Sequence, residues 1–362
     1  MIHANPLQSE MDTSNRFITM GEIMLRLSPP NYEKIRMATS FEASYGGSEA
    51  NIALSLANLG IDSTFFSVVP NNSLGKSAIR WLRSNDVHCT PVILSTPEET
   101  PTHRLGVYYL ETGYGIRPSQ VIYDRKHSAI TEYDFSKVDL DNLLSNFSWL
   151  HLSGITPALS GNLQDLMLNM LRTAQEKGLT VSFDGNFRSS LWTWEQARNF
   201  CTQCLPYVNI LFGIEPYHLW RDEDDHTKGD FKDGVPLQPS YEQQDEIFQA
   251  FIDKYPNLTC IARHVRYAHS GSENSLKAYM WYDGHTFESK LFTFNILDRV
   301  GGGDAFASGL IYAMMKGYRP MDMINFAVAS SALKHTIHGD ANIVDKADTI
   351  RNLMNMNYDI KR

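Results

Sequence analysis

Short apolar runs alternate along this chain with segments of helical character, and that alternation limits the architecture more than any other feature. The runs are FITMGEIMLRLS over 17–28, STFFSVV over 63–69, WLHLSG over 149–154, LTVSFD over 179–184, VNILFG over 208–213 and LTCIAR over 258–263. Helix-like stretches stand between them at 49–59, 161–177 and 241–254. The pattern predicts an α/β fold with a mostly parallel sheet flanked by helices, and residues 17–28 read as its opening strand.

Two stretches break the rhythm. Residues 31–45 and 100–125, the latter TPTHRLGVYYLETGYGIRPSQVIYDR, are rich in Tyr, Val, Thr and Gly without a helical period. They predict antiparallel strands forming a small β-sheet beside the core, a natural lid over a cleft from which a group-transfer enzyme excludes water. An immobile edge hairpin is the alternative. The chain then divides into a core of 1–30, 46–99 and 126–362 and a lid of 31–45 and 100–125. Residues 221–240 are charged, with Gly and Pro, and read as an exposed insertion.

Composition narrows the class of partner. The chain has 362 residues, of which 43% are hydrophobic and 20% charged, as in ordinary globular proteins. A net charge of -9 repels polyanions, which argues against nucleic-acid binding and requires a local basic site for any anionic ligand. No apolar run approaches the roughly 20 residues that span a bilayer, so no membrane partner is expected. The first fifteen residues lack the apolar stretch of a secretory signal, so the expected location is cytoplasmic. Cys89, Cys201, Cys204 and Cys260 are too sparse for a disulfide framework, and the Cys201–Cys204 pair reads as helix packing rather than half a zinc site.

The segment richest in chemistry is Asp298-Arg299-Val300-Gly301-Gly302-Gly303-Asp304, followed by the helix-forming AFASGLIYAMM. Consecutive glycines let backbone N–H groups converge on one point, and a helix entered through such a turn is an anion site. Those amides and the positive helix end suit a phosphoryl group in flight. Asp304 stands at the mouth of the helix, where it reads either as an N-cap or as the base that accepts a hydroxyl proton. Three glycines and an upstream Asp298 exceed what a cap needs and favour the base. The GKS string at 75–77 is no P-loop, because the first glycine of that motif falls at Pro70. The dinucleotide fingerprint fails too, because its third glycine falls at Phe306.

Residues 298–306 resemble the DxxGxGDxF signature of the ribokinase-like (pfkB) carbohydrate kinases, and Tyr45-Gly46-Gly47-Ser48-Glu49-Ala50-Asn51 resembles their sugar-side segment. GEIMLRLSPP at 21–30, GVYYLE at 106–111, VIYDRKHSA at 121–129, HLSGITPALS at 151–160, DGNFRSSLW at 184–192 and ALKHTIHGDANI at 332–343 resemble the 2-keto-3-deoxygluconate kinase subgroup.

The resemblance implies a ribokinase-like fold and transfer of the ATP γ-phosphate to 2-keto-3-deoxygluconate, with magnesium bound mainly through phosphates. It implies Asp304 as base, with Gly301, Gly302 and Gly303 around the phosphoryl group, Gly301 and Gly303 also on the nucleotide. Gly46, Gly47, Asn51, Tyr108 and Tyr123 are implied around the sugar, Arg125 and Arg188 as its carboxylate partners, and Asn342 near the adenine. Arginine's planar fork suits a carboxylate. The stretch 263–274 resembles a loop covering the nucleotide, and no protein metal site is expected: His335 and His338, spaced to share a helix face, lack further ligands. Gly213-Ile214-Glu215-Pro216-Tyr217 departs from the family, which carries an Asn and more acids there. A kinase of another sugar acid or a ketose such as fructose, and a weakly catalytic sensor, are the alternatives. Unpaired lid edges favour a homodimer through the lid.

Overall fold

The computed structural model describes residues 16–215, 217, 239–344 and 346–356, together with the backbone of 231–232 and 235–236. The first fifteen residues, and most of the segment expected as an insertion, lie outside the described residues. In chain order the strands are β1 (Arg16–Met20), β2 (Met24–Ser28), β3 (Glu42–Gly46), β4 (Asp62–Phe66), β5 (Val68–Pro70), β6 (Ile93–Ser95), β7 (Val107–Glu111), β8 (Gln120–Asp124), β9 (Trp149–Ser153), β10 (Thr180–Asp184), β11 (Ile210–Phe212), β12 (Phe231–Lys232), β13 (Val235–Pro236), β14 (Cys260–Ala268), β15 (Glu273–Tyr282), β16 (His285–Glu288) and β17 (Phe292–Asn295). The α-helices are α1 (Ser48–Asn58), α2 (Ser73–Arg83), α3 (Ala129–Glu132), α4 (Leu140–Leu144), α5 (Gly161–Glu176), α6 (Trp194–Cys204), α7 (Tyr241–Lys254), α8 (Gly302–Met315), α9 (Pro320–Lys334) and α10 (Ala347–Met354).

The central sheet runs in the order β16-β15-β14-β11-β10-β9-β1-β4, with β17 also paired to β15. Pairings from β4 across to β14 are parallel, and those of β15 are antiparallel. Successive residues of a strand serve opposite helix layers, as the pleat requires. Ile18, Leu150 and Leu211 join the core with α5, α6 and α7, whereas Phe17, Trp149 and Ile210 join the core with α1, α8 and α9. Fully burying one such side chain contributes about 1.5–3 kcal/mol, so both layers are firmly attached.

Helix starts follow local chemistry. Ser240 and Gln243 form a capping box at α7, Thr193 and Gln196 another at α6, and Ser160 caps α5 through Leu163 N. Asn72 caps α2, which places the GKS string inside a helix and away from any phosphate turn. All four cysteines are buried free thiols, Cys201 and Cys204 among them in the core face of α6.

The segment read as a single strand over 17–28 is two strands in two sheets. Gly21 still donates to the carbonyl of Phe66, but Glu22 then turns toward Arg125 and Ser128 and carries the chain away from the central sheet. Met24–Ser28 therefore belongs with the small sheet rather than with a 1–30 core. That sheet has the order β3-β2-β7-β8, and its central β2–β7 pairing is parallel rather than antiparallel as expected. STFFSVV likewise divides, with β4 in the central sheet and β5 paired to β6. Among the described residues no helix is long and apolar enough to cross a membrane.

Candidate active site

A cavity of about 860 Å³ opens between the small sheet and the carboxyl ends of the parallel strands. Ligands of open α/β sheets sit at those strand ends. Met24, Tyr108 and Tyr123 line the cavity from the small sheet, the Gly301–Asp304 turn lines it from the start of α8, and Arg263–Arg266 line it from β14.

Gly301 is the N-cap of α8, in the left-handed region at φ 81, and a Cβ there would lie 1.7 Å from the Asp340 carbonyl oxygen. Only glycine fits that approach. Gly302 and Gly303 form the first turn, and Asp304 follows within it, so Asp304 is not the cap. Its carboxylate is held on both oxygens: Ser48 Oγ donates to Oδ1 and Asn51 Nδ2 to Oδ2, each at 2.7 Å. Asn186 Nδ2 donates to Ser48 Oγ at 3.1 Å and steadies that hydroxyl. Burial raises the Asp304 pKa, while the Asn51 and Ser48 bonds restrain the rise. The result is a fixed carboxylate in a water-poor site, which suits a proton acceptor.

The expected sugar-side residues divide into two sets. Gly47 caps α1, and Gly46 ends β3 directly against Asp340. Tyr123 is exposed on the cavity wall, 5.8 Å from the ring of Tyr108. Tyr108 lines the cavity as well, but its hydroxyl is engaged as a donor to Asp340. Arg188 faces the cavity and is exposed, donating to the Phe187 carbonyl at 3.2 Å. Arg125, expected as a second spare cation, is instead matched by Glu22 at 2.5 Å, with Ser128 on the other carboxylate oxygen. The buried acid at the end of β1 was not legible as its partner.

Arg263, Arg266 and Arg299 line the cavity together with the glycine turn. Desolvation in the cleft, followed by the charges of Arg299 and Arg188, lowers Arg266 to about 10. Cations crowded in this way favour the arrival of a polyanion. His264 stands beside them against Phe306, and burial pushes its pKa down to about 3, so it is neutral.

Three expectations are corrected here. The stretch 263–274 is chiefly a β14–β15 hairpin, not a loop, because nine residue pairs of β14 and β15 zip in register. Asn342 does not line the cavity; it is buried, with Nδ2 donating to Ser330 Oγ at 2.9 Å. His335 and His338 share no helix face, since α9 ends at Lys334, and His335 is buried with Nδ1 at the Ser331 carbonyl.

Several site residues were not singled out from the sequence. Glu49 and Asp184 join Asp304 in lining the cavity, and burial pushes each of the first two up to about 7. Asp340 is buried and bonded to Arg26 of β2 at 2.7 Å. Glu49, Asp184 and Asp340 lie within motifs quoted above, so the signal was their sign: acids inside otherwise apolar or glycine-rich strings. Among the described residues no group of three His, Cys, Asp or Glu side chains is placed to cage a metal.

The family model described as pfkB family carbohydrate kinase matches residues 15–216. The crystal structure of 2-dehydro-3-deoxygluconokinase from Thermotoga maritima superposes with a TM-score of 0.85 at 36% identity, covering 94% of this chain and 99% of that one. The 2-dehydro-3-deoxygalactonokinase of Haloferax volcanii is 31% identical over 327 residues, 90% of this chain and 93% of the relative. The 2-dehydro-3-deoxygluconokinase of Bacillus subtilis is 26% identical over 325 residues, 89% of this chain and 90% of the relative. The three relatives' likenesses run through both the Asn51 half and the Asp304 half of the cleft, and the chain belongs to the pfkB family of carbohydrate kinases.

Proposed function

We propose that the protein transfers the γ-phosphate of ATP to the terminal hydroxyl of 2-keto-3-deoxygluconate, giving the 6-phosphate and ADP. The carrying observation is Asp304, half-buried at the entrance of α8 with both oxygens held by Ser48 and Asn51. In this reading the acceptor oxygen bonds to the γ-phosphorus, the bond to the β–γ bridging oxygen breaks, and Asp304 takes the hydroxyl proton. The amides of Gly301, Gly302 and Gly303 face the charge that develops on the phosphoryl oxygens.

The sugar lies against Gly47 and Asn51, with Gly46 behind them on Asp340, under Tyr108 and Tyr123, with its carboxylate toward Arg188. Arg125 orients that wall through Glu22 rather than standing as a free charge. The arginines beside the turn fit a triphosphate. Magnesium accompanies the nucleotide, held chiefly by phosphate oxygens and water, with Glu215 the nearby carboxylate on the cavity wall. Buried free thiols accord with a cytoplasmic enzyme. The exposed β8 strand, with Val121, Ile122 and the neighbouring Ile116, supports a homodimer through the small sheet.

A second reading shares the chemistry and changes one stereocentre. The Haloferax volcanii relative is named for the galactonate epimer, which favours that acceptor as the alternative. An ADP-release assay with magnesium-ATP against both epimers, fructose and ribose separates the readings. Turnover confined to the acid sugars supports the proposal, and the better epimer names the acceptor; turnover of fructose or ribose alone overturns it.

A further inference from the structure

Arg26 stands on β2 directly across from Tyr108 on β7, and both side chains are buried against the core. Its fork is divided between two acids far apart in the chain. Nη2 donates to Asp298 Oδ2 at 2.6 Å and Nη1 to Asp340 Oδ1 at 2.7 Å, while Nε reaches Ser28 Oγ at 2.9 Å. Burial opposes the guanidinium charge, yet the two carboxylates outweigh it and raise its pKa.

Each acid touches the reaction machinery. Asp298 accepts the amide of Val300 at 3.1 Å and that of Gly339 at 3.0 Å, so it shapes the entry into the glycine turn. Asp340 lines the cavity, and its carboxylate occupies the space of a Cβ on Gly46, 2.0 Å away. Its carbonyl presses on Gly301, and the Tyr108 hydroxyl donates to its second carboxylate oxygen. Behind them Lys334 is fully buried, donating to the Asp298 main-chain carbonyl at 3.3 Å.

We propose that Arg26 is a positioning residue for phosphoryl transfer: planted in the small sheet, it ties Asp298 under the phosphate turn to Asp340 in the acceptor wall. One planar fork thereby sets the distance between the two substrates' sites, a task a single ammonium cannot share between two carboxylates. Arg26 does not line the cavity, so it acts through these acids. A displacement of about 1 Å at such a frame costs roughly 100-fold in rate. The inference rests on the kinase reading above.

The test compares wild type with Arg26→Lys, and with the double variant Arg26→Gln/Asp298→Asn, which removes one cation and one anion together. Near-ultraviolet circular dichroism reports the fold, calorimetry the ATP affinity, and steady-state assays kcat and acceptor KM separately. The expected result is a folded Arg26→Lys enzyme with ATP affinity retained and kcat lowered roughly 100-fold. If Arg26→Lys does not fold, the double variant carries the same expectation. A folded variant with wild-type kcat, or one whose loss lies wholly in ATP affinity, overturns the inference alone. Wild type that binds ATP but turns over no acceptor overturns the kinase reading, and this inference with it.

Discussion

Asn51 Nδ2 donates to Asp304 Oδ2 at 2.7 Å across 253 residues of sequence, so the helix that opens the N-terminal half holds the carboxylate proposed as the base at the start of α8. The bond lowers the Asp304 pKa against the burial that raises it. Asn51→Ala removes that restraint, and the carboxylate keeps its proton to higher pH. A base must be deprotonated to act, so the acid limb of the kcat profile moves to higher pH. Near that limb activity falls about tenfold, the worth of a hydrogen bond to a charged group. A profile parallel to wild type at every pH contradicts the assignment.

Arg188 faces the cavity and forms no ion pair among the described residues, whereas Arg125 is occupied by Glu22. Arg188→Ala is expected to raise KM for an acid sugar roughly 10- to 100-fold. Arg125→Ala strands Glu22 and is expected to lower thermal stability, by about 3–5 kcal/mol for a buried pair cut on one side. Steady-state kinetics beside thermal unfolding distinguishes the two. Equal effects of both variants on KM alone contradict the division of roles.

Glu49 carries a stability signature. Burial pushes it from 4.5 up to about 7, although Ser153 and Thr156 donate to it. Between those pH values the folded chain binds a proton that the unfolded chain has released, so this contribution to stability is lost as pH rises through the window. Glu49→Gln does not titrate. It is expected to be more stable than wild type at pH 8, by up to about 3 kcal/mol, with the gap closing toward pH 4.5. Chemical denaturation at the two pH values checks this, and a pH-independent difference contradicts it.

The small sheet is fastened to the core hairpin at its tip. Gly271 N donates to the Gly115 carbonyl at 2.6 Å and Gly115 N to Ser272 Oγ at 2.7 Å. A Cβ on Gly271 would lie 2.6 Å from the Arg117 carbonyl and 2.7 Å from that of Gly115. Gly271→Ala must separate the two tips. Losing one or two net hydrogen bonds there is expected to raise acceptor KM about 2- to 10-fold while ATP affinity is kept. Unchanged acceptor KM means the tips do not help enclose the sugar.

Features written in local chemistry were legible in the sequence. The consecutive glycines before Asp304 located the turn, and the Tyr241–Lys254 helix was read at its true ends from its pattern. Features made by distant partners were not. Arg26 meets Asp298 and Asp340 across 272 and 314 residues, which leaves no periodic or spacing signal. The same holds for Glu22, whose capture of Arg125 changes that arginine from free cation to paired one. The break after Met20 was hidden because β1 and β2 are both short, largely apolar runs three residues apart, although they serve different sheets. Asn342 was placed by likeness alone, and its burial against Ser330 depends on how α9 packs.

The most direct measurement is a comparison of Asp304→Asn with wild type, with kcat on 2-keto-3-deoxygluconate taken beside the calorimetric affinity for ATP. The asparagine keeps the shape that Ser48 and Asn51 hold but cannot accept the hydroxyl proton. The account predicts retained ATP binding and a kcat lowered about 100- to 10,000-fold, the span of general-base catalysis. A variant that binds ATP and turns over at the wild-type rate contradicts the central claim that Asp304 is the base.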